Sequence, residues 1–304
     1  MHYADESLQT KKLTGNFRSF AWDRAGRGVI VVGDGGRILR VEGEETADLE
    51  SGTRQNLRGI SVNPTDGTAL IIGNGGSLLL FDQDAKVSKV NVATSENLRS
   101  ASWNLKGTLA LISGNGGTLL RYADHRTQLI DGARANLRRI AWRPGVNMAL
   151  ATSNCFAEKF IPSPNLFAYA EDTQTLNALN EGRADLIGVD WEPDGTAALV
   201  VGYDVIWHNG VIARFDSRNL SPIQFNNKRV YPVAVSWNPT GQLAAIGTAT
   251  PQPMMAEGVV YLWDQKALKP IFSSHEFFFT AVAWNKEGTE LVALGSSASR
   301  TFNC

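Results

Sequence analysis

A unit of roughly 40 residues recurs along the chain and restricts its fold more than any other feature of the sequence. The unit is clearest over residues 97–122, which read NLRSASWNLKGTLALISGNGGTLLRY. Its tryptophan position recurs with spacings of 40, 41, 39, 49, 46 and 47 residues. The positions of this series are Trp22, Val62, Trp103, Trp142, Trp191, Trp237 and Trp284. The chain therefore contains seven units.

Each unit is built from short segments with β-strand character. In the third unit these are SASW, LALIS and TLLRY, each of about the usual length of a strand. A glycine that tolerates a positive φ separates the first two segments, as at Gly107. Asp-Gly or Asn-Gly, at 34–35, 74–75 and 115–116, separates the second from the third and favours a hairpin. A more polar fourth strand follows, for example over residues 125–130.

A four-stranded sheet cannot bury both of its faces alone, so the units are expected to stack face to face in a closed ring. The sequence predicts an all-β fold, a seven-bladed β-propeller of four-stranded antiparallel blades that forms one domain over residues 1–304. The last unit has room for three strands, so we expect residues near Ser7–Leu13 at the N-terminus to supply its missing outer strand and close the ring. The alternative is a disordered N-terminal tail.

The sixth unit carries a resemblance to a known family. VSWNPTGQLAAIGTA at 235–249 and GVVYLWDQ at 258–265 resemble a WD repeat, including the pair Trp263-Asp264. The resemblance covers nearly the whole chain and implies a propeller, but it implies almost nothing about activity. The Gly-rich second turns are also similar to those of photosystem-assembly-factor-type propellers. Asn-Leu-Arg replaces the Gly-His dipeptide of typical WD repeats, so the His–Asp hydrogen-bond network of that family is not expected here.

The bulk properties of the chain exclude several classes of protein. The net charge of −1 gives no overall attraction to nucleic acid or to acidic membranes. Apolar runs are of strand length, which argues against a membrane span, and the first twelve residues do not resemble a secretory signal. Two cysteines, Cys155 and Cys304, make no disulfide framework. We therefore expect a cytoplasmic monomer that binds neither nucleic acid nor membrane.

Units four to six carry insertions at one and the same turn, between the second and third strands. The inserted segments span 153–165, 202–210 and 248–258. We expect them on one face of the propeller, and such insertions often mark the binding face of a repeat protein. Aromatic and methionine side chains suit a partner-binding surface. The candidates are Phe160, Tyr203, Ile206, Trp207, Met254 and Met255. The alternative is that these loops fold over the channel and pack on each other.

Four arginines occupy one position of the repeat, at the end of the Asn-Leu-Arg triplet where the innermost strand begins. They are Arg18, Arg58, Arg99 and Arg138. The direction of the strand places them on the same face as the inserted turns. Guanidinium groups around a central opening are suited to a carboxylate, a phosphate or an acidic segment. The alternative is a structural role, in which each arginine bonds to carbonyl groups or to the Asp of the next unit.

Signatures of catalysis and metal binding are missing from the sequence. The four histidines at positions 2, 125, 208 and 275 show no metal-ligand spacing, and Cys155 has no evident histidine partner. No nucleophile elbow or phosphate-binding loop is present. We expect no cofactor, no metal and no enzymatic activity.

The predicted function is a non-catalytic scaffold that binds a protein partner through the face carrying the loops of blades four to six. The first alternative is a propeller that binds a small anion or an acidic peptide at the four arginines. The second is a hydrolase or lyase whose catalytic residues are dispersed over loops.

Overall fold

The computed structural model describes residues 9–130, 132–154, 161–204, 206–228, 230–250 and 257–296. Short 3-10 helices are present at Asp34–Gly36 and Asn115–Gly117. The strands of the described residues are, in chain order, β1 (Phe17–Trp22), β2 (Val29–Gly33), β3 (Ile38–Glu42), β4 (Glu45–Leu49), β5 (Leu57–Val62), β6 (Ala69–Gly73), β7 (Leu78–Phe81), β8 (Val87–Lys89), β9 (Leu98–Trp103), β10 (Ala110–Gly114), β11 (Leu119–Ala123), β12 (Arg126–Ile130), β13 (Asn136–Trp142), β14 (Met148–Asn154), β15 (Ser163–Ala170), β16 (Thr175–Gly182), β17 (Asp185–Trp191), β18 (Ala198–Asp204), β19 (Asn209–Phe215), β20 (Leu220–Pro222), β21 (Tyr231–Trp237), β22 (Ala244–Ala249), β23 (Gly258–Trp263), β24 (Leu268–Ser274), β25 (Phe278–Trp284) and β26 (Leu291–Ser296).

These strands form six four-stranded antiparallel sheets and one two-stranded sheet. Each four-stranded sheet uses four strands in chain order, from β1–β4 to β21–β24, and the pair β25–β26 follows. The all-β propeller prediction is confirmed, but the prediction of seven four-stranded blades is wrong. Six blades have four strands, and the described part of the seventh unit contributes only two.

The predicted closing strand near Ser7–Leu13 is also wrong where the structure describes it, because residues 9–16 contain no strand. Positions 7 and 8 lie outside the described residues. Lys11 instead donates from Nζ to the carbonyl oxygens of Gly43 and Glu45, at 3.1 and 3.3 Å, and so holds this segment against the first sheet. The side chain of Leu13 packs onto a cluster shared by the first sheet and β25–β26. The segment is attached through side chains and not through backbone pairing.

The ring is built from contacts between the first strands of successive sheets, and β25 packs between β21 and β1. The tryptophan of the repeat strengthens these contacts. Trp103 Nε1 donates to the Ser61 carbonyl of the preceding sheet at 3.2 Å. Trp22 Nε1 donates to the Ala283 carbonyl at 3.1 Å, which joins the first sheet to the two-stranded sheet. One hydrogen bond of the repeat therefore also closes the ring.

The second strand of each sheet is the centre of the core. In β6 the side chains of Leu70, Ile71 and Ile72 are all fully buried, because neighbouring sheets cover both faces of the strand. The aromatic residue of the third strand packs edge-on against the tryptophan of the first, as Tyr122 does against Trp103 at 5.7 Å between ring centroids. Burial decreases outward, and β4 is almost entirely exposed.

The second turn differs from the predicted Asn-Gly or Asp-Gly hairpin in one respect. Positive φ angles fall on the two consecutive glycines and not on the preceding Asp or Asn, as at Gly35 (69°) and Gly36 (76°). A Cβ atom at Gly36 would collide with the carbonyl oxygen of Thr53, which lies in the segment leading to the next sheet. The second glycine is therefore required by the close approach of two backbones.

Trp191 and Trp237 form a matched pair for measuring the hydrogen bond between sheets. Both side chains are buried, and Trp191 Nε1 donates to the Ala141 carbonyl at 3.2 Å. Trp237 Nε1 has no partner among the described residues. Trp191→Phe should therefore lower the free energy of unfolding more than Trp237→Phe, by about 1–2 kcal/mol. Urea unfolding followed by circular dichroism measures both values, and equal losses would contradict this role of the indole N–H.

Candidate functional site

The candidate site lies on the face that carries the loops between the second and third strands of each sheet, which we call the upper face. The first strands begin at this face, and the opposite, lower face carries the loops between the first and second strands. The inserted loops that follow β14, β18 and β22 all leave the sheets on the upper face. Of the predicted partner-binding residues, Phe160, Met254 and Met255 lie outside the described residues.

The insertion of unit five extends a β-hairpin beyond the sheet. Strands β18 and β19 stay paired as far as Asp204 and Asn209. The Asp204 carboxylate accepts hydrogen bonds from the backbone N–H groups of Ile206 and Trp207, at 2.9 and 3.1 Å. The Trp207 side chain at this turn is 65% exposed. The structure thus places a large aromatic group in solvent on a turn whose backbone is held by its own carboxylate.

The other two residues of the predicted apolar surface on this hairpin are less accessible. Tyr203 is 7% exposed and stacks on Tyr231, with 5.1 Å between ring centroids and 12° between ring planes. His208 Nδ1 lies 3.1 Å from the Tyr231 hydroxyl, and Ile206 is half-buried. Tyr203 therefore braces the hairpin from below, and Trp207 is its exposed apolar group.

The four predicted arginines each occupy a β-bulge. In every first strand the pairing with the second strand skips one residue, four positions before the tryptophan position. The skipped residues are Arg18, Arg58, Arg99, Arg138, Ile187, Val233 and Thr280. A bulge leaves its residue outside the ladder and changes the direction of its side chain. Four of these seven positions are therefore cationic, and the other three are uncharged.

Each of the first three arginines bonds to the polar residue of its own second turn. Arg18 pairs with Asp34 through two nitrogens, with 2.9 Å from Nε to Oδ1. Arg58 Nε donates to the Asn74 side chain at 3.0 Å. Arg99 Nε donates to the Asn115 side chain at 2.8 Å. These bonds stay within one unit and go to side chains, whereas the sequence suggested carbonyl groups or the Asp of the next unit, and they use only part of the donor groups of Arg58 and Arg99.

The same arginines affect each other electrostatically. Burial, then the charge of Arg18, lowers the pKa of Arg58, while Asp34 opposes this shift from 3.9 Å. Burial, then the charges of Arg138 and Arg58, lowers the pKa of Arg99 to about 10. No guanidinium nitrogen of Arg138 bonds to a residue that the structure describes. The positive charges are therefore close together, and Asp34 is the carboxylate that acts on them.

The asparagine of the triplet has a role that the sequence did not reveal. The Asn56 side-chain oxygen accepts a hydrogen bond from the Gly35 N–H of the preceding unit, at 2.9 Å. Asn97 and Asn136 do the same for Gly75 and Gly116, at 3.0 and 2.8 Å. The recurrence of Asn directly before an apolar residue in the sequence could have indicated this structural role. These bonds hold the second turn of one unit against the next and so fix the surroundings of the arginines.

A second charged pair, Arg139 and Asp190, lies in the channel on first strands of adjacent sheets. Other units have small residues at these two positions. The Asp190 carboxylate accepts from the backbone N–H groups of Trp237 at 2.7 Å and Trp191 at 3.1 Å, and so links the fifth and sixth sheets. Burial raises the pKa of Asp190 to about 6, although both N–H groups and the charge of Arg139 oppose this. Sequence reasoning missed this pair because neither residue belongs to a motif.

The fold is similar to that of a solved WD-repeat propeller. The crystal structure of the β-propeller domain of Myceliophteria thermophila Cps50 (Swd1) matches with a TM-score of 0.73, over 97% of this chain and 98% of that one. The sequence identity is 13%, so the similarity concerns the fold alone. No protein-family model and no curated protein sequence matches the chain. The predicted resemblance to WD-repeat propellers is confirmed at the level of the fold.

Among the residues that the structure describes, no group of three or more His, Cys, Asp or Glu side chains is arranged so that it could hold a metal ion. In the same residues, no helix has the length and apolar character needed to cross a membrane.

The titration of Asp190 should be visible in the stability of the protein. Its pKa of about 6 in the folded state lies above the value of about 4 for an unfolded chain. Protonation of Asp190 therefore stabilises the folded state, and this stabilisation is lost as the pH rises through 6. From pH 7.5 to pH 5 the free energy of unfolding should rise by about 1 kcal/mol relative to Asp190→Asn, which does not titrate. Urea unfolding at both pH values measures this, and a difference independent of pH would contradict burial of the carboxylate.

Proposed function

We propose that this propeller is a non-catalytic platform that binds a protein partner through its upper face, with Trp207 as the central contact. The observation that carries the proposal is the 65% exposure of this side chain on a braced hairpin. Tryptophan is enriched among the few residues that supply most of the free energy of protein–protein binding. A single exposed apolar side chain is common on protein surfaces, so the support comes from its rigid mounting.

The bracing of the hairpin supports this function because it lowers the entropic cost of binding. The Asp204 carboxylate holds the turn, and Tyr203 is stacked on Tyr231 beneath it. Gly210 lies so close to Phe225 that a Cβ atom there would require a shift. An anchor that is already ordered loses less conformational freedom when its partner arrives.

Trp207→Ala tests the platform, with Leu105→Ala as the control. Leu105 is 63% exposed in the lower-face loop between β9 and β10, so it offers similar apolar exposure on the other face. Both variants should unfold within about 0.5 kcal/mol of the wild type. In affinity capture from native lysate, a protein retained by the wild type and Leu105→Ala should be lost with Trp207→Ala. Its Kd should rise at least about tenfold.

Two outcomes would contradict the proposal. A captured protein that binds the wild type and Trp207→Ala equally would remove Trp207 from the interface. A much lower melting temperature of Trp207→Ala would show that the side chain packs within the fold.

A second candidate function, the binding of an acidic ligand at the channel mouth, is supported by a different observation. Arg18, Arg58, Arg99 and Arg138 occupy one repeated bulge position; burial and then the charges of neighbouring arginines lower the pKa of Arg58 and Arg99, and Asp34 balances only part of the positive charge. Half-buried guanidinium groups with free donors bind carboxylates and phosphates through charge-assisted hydrogen bonds.

Arg58→Ala combined with Arg99→Ala tests this second function. The variant should lose binding of a fluorescent hexaglutamate peptide, measured by polarisation at low salt, and keep the circular dichroism of the wild type. Arg27→Ala with Arg126→Ala removes the same charge from exposed positions outside the cluster and should keep the binding. If the wild type does not bind the peptide and the Arg58→Ala, Arg99→Ala variant unfolds more easily, the role of these arginines is purely structural.

A further inference from the structure

The channel mouth holds an arrangement of arginines whose charge is only partly balanced within units one to four. Arg18 is neutralised by its two-nitrogen pair with Asp34. Arg58 reaches the same carboxylate only at 3.9 Å. The four guanidiniums and the Asp34 carboxylate together carry three net positive charges.

The donor geometry points to one shared ligand and not to several separate ones. Arg58 and Arg99 each use Nε to bond to an asparagine of their own turn, which orients the guanidinium plane. Their terminal N–H groups make no hydrogen bond to another described residue. Arg138 lies within electrostatic range of both. Arg58, Arg99 and Arg138 occupy the same bulge position on the adjacent first strands β5, β9 and β13, so their guanidiniums are neighbours around the channel mouth and can surround a single anion.

The surroundings of the cluster also restrict the ligand. The remaining bulge positions are Ile187, Val233 and Thr280, which carry no charge. The arginine groups are half-buried, so a bound anion would lose part of its hydration, and only a matching charge compensates this loss. A monocarboxylate would balance one of the three charges, whereas a phosphate monoester carries close to two negative charges at pH 7 and three acceptor oxygens.

We propose that Arg58, Arg99 and Arg138 together bind one doubly charged tetrahedral oxyanion, the phosphate group of a monoester, at the upper mouth of the channel. This inference rests on the second candidate function and names the chemistry of its ligand. The phosphate belongs either to a phosphorylated side chain of a protein or to a small phosphate ester, and both present the same group to the arginines.

The first experiment compares anions by calorimetry on the full chain at pH 7.5 and matched ionic strength. Phenyl phosphate and sulfate should bind, each at least about tenfold more tightly than acetate. Glutarate, a dianion with separated charges, should bind more weakly than phenyl phosphate. If glutarate binds and neither tetrahedral anion does, the phosphate inference fails and the acidic-ligand function stands. If no anion and no hexaglutamate binds, both fail.

Arg138→Ala is the cleanest variant, because its guanidinium makes no hydrogen bond to the described residues and its loss should not disturb the fold. It should weaken phenyl phosphate binding at least about tenfold with an unchanged melting temperature. Arg27→Ala with Arg126→Ala should bind as the wild type does. Unchanged affinity of Arg138→Ala would exclude this residue from the site and overturn the shared ligand.

The pH dependence of binding distinguishes recognition of a phosphate dianion from the effect of a change in the charge of the protein. Asp34 and Asp185 lie at the upper ends of β2 and β17, and Asp190, beside Arg139, loses its charge as the pH falls through its pKa of about 6, which favours an anion. The second ionisation of a phosphate monoester lies near pH 6. Binding of phenyl phosphate should therefore weaken about fivefold or more from pH 7.5 to pH 5, while sulfate binding should not weaken. Parallel behaviour of the two anions would contradict recognition of the dianion.

A phosphoserine peptide, its unphosphorylated form and phenyl phosphate then distinguish the two sources of the group. Tighter binding of the phosphopeptide than of phenyl phosphate indicates a phosphorylated protein. Equal binding of the two indicates a small ester. Binding of the unphosphorylated peptide at the same affinity would overturn the proposal.

Discussion

The hydrogen bond and the packing between first strands of successive sheets are the interaction on which the rest of this structure depends. A single four-stranded sheet leaves both faces of its second strand apolar, and only a neighbour on each side can cover them. The indole N–H of Trp22, Trp103 and Trp191 bonds to the carbonyl of the sheet before it. Because Trp22 bonds to Ala283, this local device of the repeat also determines where the chain closes.

The upper face follows from the same repeat. Within each Asn-Leu-Arg triplet the leucine is buried, the asparagine holds the turn of the preceding unit, and the arginine occupies a bulge. Asn56 and Arg58 show the division of roles, since one bonds backward to Gly35 and the other to Asn74 of its own unit. In Arg58 the bond to the turn uses Nε, so the terminal nitrogens make no hydrogen bond to the described residues and the proposed binding role is compatible with the structural one.

Units four to six depart from the compact form of the repeat, and this departure makes the two halves of the upper face different. The arginines lie in units one to four, whereas Ile187 and Val233 take their place in the next two units. The braced hairpin with Trp207 also belongs to unit five. An aromatic anchor and a cationic mouth on one face would allow a partner to be bound by apolar contact and by charge together.

The sequence by itself determined the period, the strands, the turns and the face on which the insertions and arginines lie, because these follow from local alternation and from strand direction. It could not show that residues 9–16 attach to the sheets through side chains and do not pair as a strand, since Lys11 and Leu13 contact residues far away in the chain. Nor could it show that Tyr203 is buried while Trp207 is exposed, or that Asp190 accepts from two sheets. Only the tertiary structure decided these points, because burial, ion pairing and hydrogen bonding between units depend on distances between residues far apart in the chain.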